Sequence, residues 1–142
     1  TFHLADAQDM SFASDEQYDG VLMLNSLYAI DNPMQAIREA IRVVQAGKPI
    51  IITGPNSKAD PSSYLLHIEE DFRQKGIYKP LEKHIETVTK CNHMLFDPTR
   101  AIHTYENDEL AALLEKENCQ IKQTKTDIWF GQSHYVIATK KN

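Results

Sequence analysis

Several features that mark other protein classes are missing from this sequence of 142 residues. It has only two cysteines, which make no disulfide framework and favour a reducing cytoplasm. No apolar run approaches the roughly 20 residues that a membrane helix needs, so no membrane is expected as a partner. Basic residues form no cluster and the net charge is −5, which argues against nucleic acid.

Glycine is also scarce. No glycine-rich loop for a phosphate or a cofactor is formed by the five glycines, which are Gly20, Gly47, Gly54, Gly76 and Gly131. Metal-binding patterns are absent as well. Cys91 and His93 form a close pair, but the spacing of the histidines matches no closed set of four zinc ligands. We therefore expect no metal site.

The clearest pattern that is present is a strand, a helix and a second strand. The run from Gly20 to Leu24 is almost purely apolar, as is typical of a strand in a parallel sheet. Asn32 and Pro33 predict a helix start, and Gly47 predicts its end. Apolar residues recur between them at helical spacing: Met34, Ile37, Ala40, Ile41 and Val44. The β-branched residues 50–53 predict the second strand.

Helices and a hairpin are predicted in the rest of the chain. Two helices are expected between residues 60 and 94, with Pro80 starting the second. Asn107 is expected to cap a further helix. The segment from Cys119 to Thr139 alternates loosely and predicts a closing antiparallel hairpin.

Three segments carry a more specific pattern: ADAQDMSF, YDGVLMLNSLYAI and AIREAIRVVQAGKPIIIT. They resemble the middle of a class I S-adenosylmethionine-dependent methyltransferase. That family has an Asp-Ala pair with a Leu-Pro-Phe-like turn, an aromatic-Asp pair before strand four, and Arg-Val-Leu-Lys-Pro-Gly-Gly before strand five. Asp6-Ala7, Tyr18-Asp19 and the segment from Arg42 to Lys48 fill these positions, with Gln45-Ala46-Gly47-Lys48 in place of Lys-Pro-Gly-Gly.

The resemblance implies an α/β fold. We expect an incomplete Rossmann-like methyltransferase fold, with parallel strands followed by a C-terminal antiparallel hairpin. Residues 1–142 would form one truncated domain, with a helical insert at about 57–102, after strand five. The insert could be a lid, a dimer surface or a plain solvated helix pair.

The family's glycine-rich loop and its ribose-binding acid are not found in this sequence. Because the chain also starts at Thr1 rather than Met, we expect it to begin near the end of strand three. The apolar strand from Val21 to Leu24 would then have an unpaired edge. We expect it to self-associate or to pair with the missing N-terminal segment.

The resemblance also implies cofactor-binding residues. The Asp6 carboxylate would accept a hydrogen bond from the adenine amine of S-adenosylmethionine, and the Ala7 N–H would meet a ring nitrogen. Backbone carbonyls of Leu24 and Asn25 would hold the methionine ammonium. The alternatives are a surface turn with an Asx hydrogen bond at Asp6 and an asparagine that merely ends a strand at Asn25.

Substrate-binding residues are implied near the same strand ends. Tyr28 follows strand four, Asn56 follows strand five, and Trp129 and Phe130 lie at the hairpin tip. A half-buried tyrosine and simple aromatic packing are the alternatives. No general base is assigned, because methyl transfer depends more on alignment than on a specialised side chain.

The sequence therefore favours part of a methyltransferase that acts on a small-molecule acceptor, with S-adenosylmethionine as cofactor. We expect this chain alone to be inactive. The alternative is a non-catalytic, methyltransferase-like binding or dimerisation module. A nicotinamide dehydrogenase is weaker, since it does not explain Asp6-Ala7.

Overall fold

The computed structural model describes residues 2–95 and 102–141, without the side chains of residues 61 and 92–95, so His93 lies outside the described side chains. The chain divides into two compact units. The first comprises the residues up to Lys58 and from His103 onward, and the second is Ala59–Ile102. The second unit has nearly the bounds predicted for the insert, of which residues 96–101 lie outside the described part; its status as an insertion stays a prediction.

A four-stranded sheet forms the centre of the first unit. Its strands are β1 (Val21–Leu24), β2 (Pro49–Pro55), β3 (Cys119–Thr124) and β4 (Ser133–Lys140), in the spatial order β1-β2-β4-β3. β1 and β2 are parallel, and β4 is antiparallel to both β2 and β3. The structure thus contains the predicted parallel pair and the predicted antiparallel hairpin.

Helix α1 (Pro33–Val43) begins where the sequence predicts. The Asn32 side chain accepts a hydrogen bond from Gln35 N at 3.1 Å, and Pro33 lies in the first turn, where its missing N–H leaves no bond unmade. The helix buries one apolar face in the core that also contains Ile50 and Ile52 of β2. The buried residues of this face are Ala36, Ile37 and Ala40.

The end of α1 differs from the prediction, because Gly47 does not follow the helix directly. Val44 is already extended, and Tyr18 pairs beside it, donating from its N–H to Val43 O at 2.9 Å. Gly47 lies three residues further on, in the turn before β2, with a φ of 75°. Its N–H donates to Lys140 O at 2.8 Å, so this glycine serves the turn rather than the helix cap.

Helix α4 (Asn107–Lys116) also differs at its start, because Glu106, not Asn107, is the N-cap residue. The Asn107 side chain holds the hairpin instead. Its Nδ2 donates to Lys125 O at 2.7 Å, and its Oδ1 accepts from Tyr135 N at 2.8 Å. The helix packs into the core through Leu110 and Leu114, which are fully buried.

Strand β1 presents apolar side chains to solvent. It forms one edge of the sheet, so one side of its backbone has no partner strand among the described residues. Met23 is buried in the core, whereas Leu22 is 58% exposed and Leu24 is 55% exposed. Because successive strand residues point to opposite faces, these two leucines lie on the face opposite Met23.

The second unit contains α2 (Pro61–Gln74) and α3 (Tyr78–Leu95). Asp60 caps α2 by accepting from Ser62 N at 3.0 Å, and Gly76 joins the helices with a φ of 69°. The start of α3 was predicted at Pro80, and the structure places it two residues earlier, at Tyr78. None of the helices in the described part of the chain combines the length and the apolar character that crossing a bilayer requires.

We expect Asn107→Ala to lower the free energy of unfolding of the first unit by about 1–2 kcal/mol, because Tyr135 N and Lys125 O both lose their partner. Asn107→Asp keeps the acceptor for Tyr135 N but sets a carboxylate oxygen against Lys125 O, so it should also destabilise the unit. Urea unfolding monitored by fluorescence of Trp129, the single tryptophan, measures both. Equal stability of Asn107→Ala and the wild type would contradict this role.

Candidate functional site

The loop before β1 contains Asp6 and Ala7. Asp6 is exposed, and its Oδ1 accepts from Gln8 N at 2.8 Å and from Gln8 Nε2 at 3.1 Å. These hydrogen bonds, the backbone one first, lower the pKa of the Asp6 carboxyl, which keeps it ionised and therefore an acceptor only. The Asx hydrogen bond of the alternative reading is present. It leaves acceptor capacity on the carboxylate, so the contact with adenine stays a prediction.

The next part of this loop is fixed to α1 by one arginine. Arg42 donates to Glu39 from Nε at 2.9 Å and from Nη2 at 2.8 Å. It also donates to Ala13 O at 2.9 Å, Met10 O at 3.0 Å and Asp15 Oδ1 at 2.7 Å. Glu39 completes the attachment by accepting from Met10 N at 2.9 Å. The guanidinium lowers the pKa of the Glu39 carboxyl, so both charges persist near neutral pH.

The carboxyl end of β1 is where Leu24 and Asn25 lie. Asn25 N donates to Thr53 O at 2.8 Å, which extends the pairing with β2 by one residue. Asn25 has a φ of 46°, so its backbone is left-handed and the chain leaves the sheet there. It is thus the residue that ends the strand. The contact of these two backbone carbonyls with an ammonium group stays a prediction.

The structure joins Asn56 to the hairpin loop. Asn56 is buried, and its Nδ2 donates to Gly131 O at 2.9 Å while its N–H donates to Gln132 O at 3.1 Å. Its Oδ1 accepts from Lys58 N at 3.0 Å. The amide therefore anchors the loop between β3 and β4 at the end of β2, and one of its two N–H groups makes no hydrogen bond to the described residues.

The two aromatic residues of that loop have an unusual backbone. Trp129 and Phe130 have φ values of 49° and 57°, and Gly131 follows at 75°. Left-handed backbone is rare for bulky residues and is held only where the surroundings enforce it. The side chains of Trp129 and Phe130 are 53% and 60% exposed, so the loop presents aromatic surface.

Tyr28 lies on the short 3-10 helix Leu27–Ala29 after β1. It is half-buried, as the alternative reading describes, and its carbonyl accepts from His103 N at 3.1 Å. A role for its hydroxyl toward a substrate stays a prediction.

A cluster of polar groups at the end of β2 was not predicted. Ser57 donates to Glu106 Oε1 from Oγ in a short hydrogen bond and from its N–H at 3.2 Å. These bonds lower the pKa of the Glu106 carboxyl. Beside them lies His134, which is fully buried. A Cβ added to Gly54 would come within 2.9 Å of His134 Cε1, so the ring packs directly on the strand backbone.

The environment of His134 disfavours its charged form. Neither ring nitrogen has a hydrogen bond of normal geometry among the described residues. The carbonyls of Pro55 and Tyr105 and the Glu106 carboxylate favour the protonated ring, but burial outweighs them and lowers the pKa. His134 is therefore neutral at pH 7.

Sequence patterns contained some signals for the residues that were missed. Arg42 was part of the quoted family pattern, and Glu39 stands three residues before it, which puts both on one helix face. Ser57, Glu106 and His134 gave no signal, because their partners are distant in sequence. Gln8 contacts Asp6 only two residues away, but its second partner, Asn32, is 24 residues away and gave no local signal. Among the described residues, no group of three or more His, Cys, Asp or Glu side chains could hold a metal ion.

Residues 1–52 match the family model described as a methyltransferase domain. No curated protein sequence matches the chain. A SAM-dependent methyltransferase from Thermotoga maritima has 18% identity and a TM-score of 0.57, over 95% of this chain and 61% of that one. The magnesium protoporphyrin IX methyltransferase of Synechocystis PCC 6803, solved with bound SAH, has 16% identity and a TM-score of 0.56, over 99% and 51%. The [4+2]-cyclase SpnF has 13% identity and a TM-score of 0.61, over 99% and 56%.

The chain therefore has the fold of class I S-adenosylmethionine-dependent methyltransferases, and the resemblance indicated by the sequence is confirmed. It spans only 61%, 51% and 56% of the length of these three structures. At such low sequence identity, the structural similarity establishes the fold alone. The reaction has to be argued from the residues of the site.

Stability of the first unit should fall as the pH drops below about 6.5, the ordinary histidine pKa, because the unfolded chain then gains a proton that buried His134 does not. The slope from this group approaches about 1.4 kcal/mol per pH unit. His134→Phe should flatten it, whereas His84→Gln, at an exposed position on α3, should not. Urea unfolding between pH 5 and 8 measures the slope, and an unchanged slope in His134→Phe would exclude His134 as its source.

Proposed function

We propose that this chain is part of an enzyme that transfers a methyl group from S-adenosylmethionine to a small-molecule acceptor. The observation that carries the proposal is the family match over residues 1–52. That segment contains Asp6, Ala7, Leu24 and Asn25, which the resemblance assigns to the cofactor. The fold is weaker support, since a cyclase shares it.

The residues present fit one part of this cofactor. Asp6 is an ionised acceptor suited to the exocyclic amine of adenine, and Ala7 is small and packs partly into the core beside it. When bound, the cofactor supplies an electrophilic methyl group on its sulfonium. The 142 residues contain no glycine-rich turn for the rest of the cofactor. We propose that residues outside them complete the site, and that this chain alone is inactive.

The acceptor in this proposal is a small molecule. The net charge of −5 and the lack of a basic cluster give a nucleic acid little to bind. Tyr28, Asn56 and Trp129 belong to segments around the carboxyl ends of β1 and β2, where ligands bind in open α/β sheets. Their part is to bind and orient the acceptor. A cytoplasmic setting agrees with the two free cysteines, Cys91 and Cys119.

We expect the full-length gene product to bind S-adenosylmethionine in calorimetric titration and the 142-residue chain to bind it weakly or not at all. Asp6→Asn in the full-length product should weaken binding roughly tenfold or more, because a charged acceptor is lost. Asp127→Asn, at another exposed aspartate, is the matched control. Lack of binding by both wild-type proteins would end the proposal.

The second candidate function is a non-catalytic module that binds or dimerises through β1. The exposed Leu22 and Leu24 on an edge strand support it. Such an edge offers unpaired backbone groups next to apolar side chains, and it recruits another strand. The partner would be a second copy of the chain or the N-terminal segment of the family fold.

We expect the 142-residue chain to self-associate, with the double change Leu22→Lys and Leu24→Lys shifting it toward monomer, because charge on an edge strand opposes strand addition. Leu66→Lys is the matched control, since Leu66 is 65% exposed on α2 in the other unit. Light scattering after gel filtration gives the masses. A monomeric wild type would exclude self-association through β1.

A further inference from the structure

The Gln8 side chain joins Asp6 to the start of α1. Its Nε2 donates to Asp6 Oδ1 at 3.1 Å and to Oδ2 at 3.2 Å, while its Oε1 accepts from Asn32 N at 2.8 Å. A side-chain amide offers a donor and an acceptor at once, which neither a carboxylate nor a lysine does. One side chain therefore serves both contacts.

Both contacts have structural value. Asn32 is the N-cap residue of α1, so its side chain is committed to Gln35 N, and its own N–H takes no part in the helix ladder. Gln8 supplies that N–H with an acceptor. On the other side, the backbone N–H of Gln8 holds only Oδ1 of the exposed Asp6 carboxylate, whereas the Gln8 side chain bonds to both oxygens. Gln8 thus fixes Asp6 in orientation relative to α1.

We propose that Gln8 is a positioning residue for base recognition, which holds the Asp6 carboxylate so that the site accepts a 6-aminopurine and rejects a 6-oxopurine. The inference rests on the proposed function, because it concerns the adenine end of the cofactor. A carboxylate in a fixed orientation presents only lone pairs to the base. An amino group can donate to them, whereas a carbonyl oxygen at the same position meets them with its own lone pairs.

The fixed orientation of the Asp6 carboxylate determines how strongly the site discriminates between the two bases. A site built to bond an N–H group loses much affinity for an analogue that lacks it, because its polar groups are then left unpaired. A carboxylate that can turn away escapes that penalty. Loss of the Gln8 amide should therefore reduce the preference between the two bases more than it reduces the stability of the loop.

The test compares S-adenosylhomocysteine with S-inosylhomocysteine, whose base carries an oxygen in place of the amine, in calorimetric titrations of the full-length product. The wild type should prefer the adenine compound by roughly 10- to 100-fold. Gln8→Met, which keeps length but loses both contacts, should narrow that ratio by roughly threefold or more. Gln17→Met is the matched control, because Gln17 lies on the same loop and accepts from Ser14 N at 2.8 Å without touching Asp6.

A third variant separates the two contacts. Gln8→Glu keeps an acceptor for Asn32 N but cannot donate to Asp6, and it places a like charge beside it. Amide hydrogen exchange of Asn32, measured without ligand, should therefore stay slow in Gln8→Glu and become faster in Gln8→Met. The base preference should fall in both.

The outcomes are distinguishable. If Gln8→Met binds both compounds more weakly by the same factor, Gln8 only stabilises the loop and the inference is wrong, while the proposed function stands. If Asn32 exchanges equally fast in the wild type and in Gln8→Met, the bridge is not formed and the inference is wrong. If the wild type binds neither compound, the proposed function fails and takes the inference with it.

Discussion

The candidate site depends on the hydrogen bonds that the Arg42 guanidinium makes between α1 and the loop before β1. It has five N–H groups in a rigid plane, and the structure gives it hydrogen bonds to Glu39, Met10, Ala13 and Asp15. Two of these partners are backbone carbonyls of the loop, Met10 O and Ala13 O, and Met10 O also accepts from Ala13 N at 2.9 Å within the loop. The loop owes its path to this side chain, since a lysine could not meet the same partners with one compact ammonium group.

From that attachment the order of the site can be followed outward. α1 is fixed on the sheet by its buried apolar face, and the loop before β1 is fixed on α1 by Arg42 near the helix end and by Gln8 at its start. The position of Asp6 is therefore determined by a packed helix, although Asp6 itself is exposed. Apolar packing gives the distance from the sheet, and polar contacts give the orientation.

The sequence was most informative where structure is decided locally. The start of α1 follows from Asn32 and Pro33, and the strands follow from short β-branched or apolar runs, because caps and periodicity act over a few residues. It was least informative where a polar side chain chooses between near and distant partners. Asn107 was predicted to cap a helix, but its side chain instead bonds to the hairpin. Glu106 accepts a hydrogen bond from Ser57, which is 49 residues away in the sequence. The partner that such a side chain takes depends on the assembled fold, and the residue pattern of one segment carries no information about distant segments.

The loop between β3 and β4 keeps two aromatic side chains at a cost in stability. Trp129 and Phe130 adopt a backbone that costs an ordinary residue roughly 1–2 kcal/mol and a glycine almost nothing. Glycine at either position would relax the turn, yet the chain keeps two large rings there, more than half of whose surface faces solvent. Natural selection retains such a cost where the side chains benefit something other than the fold, so thermostability screens of this protein would favour mutations that remove this exposed aromatic surface.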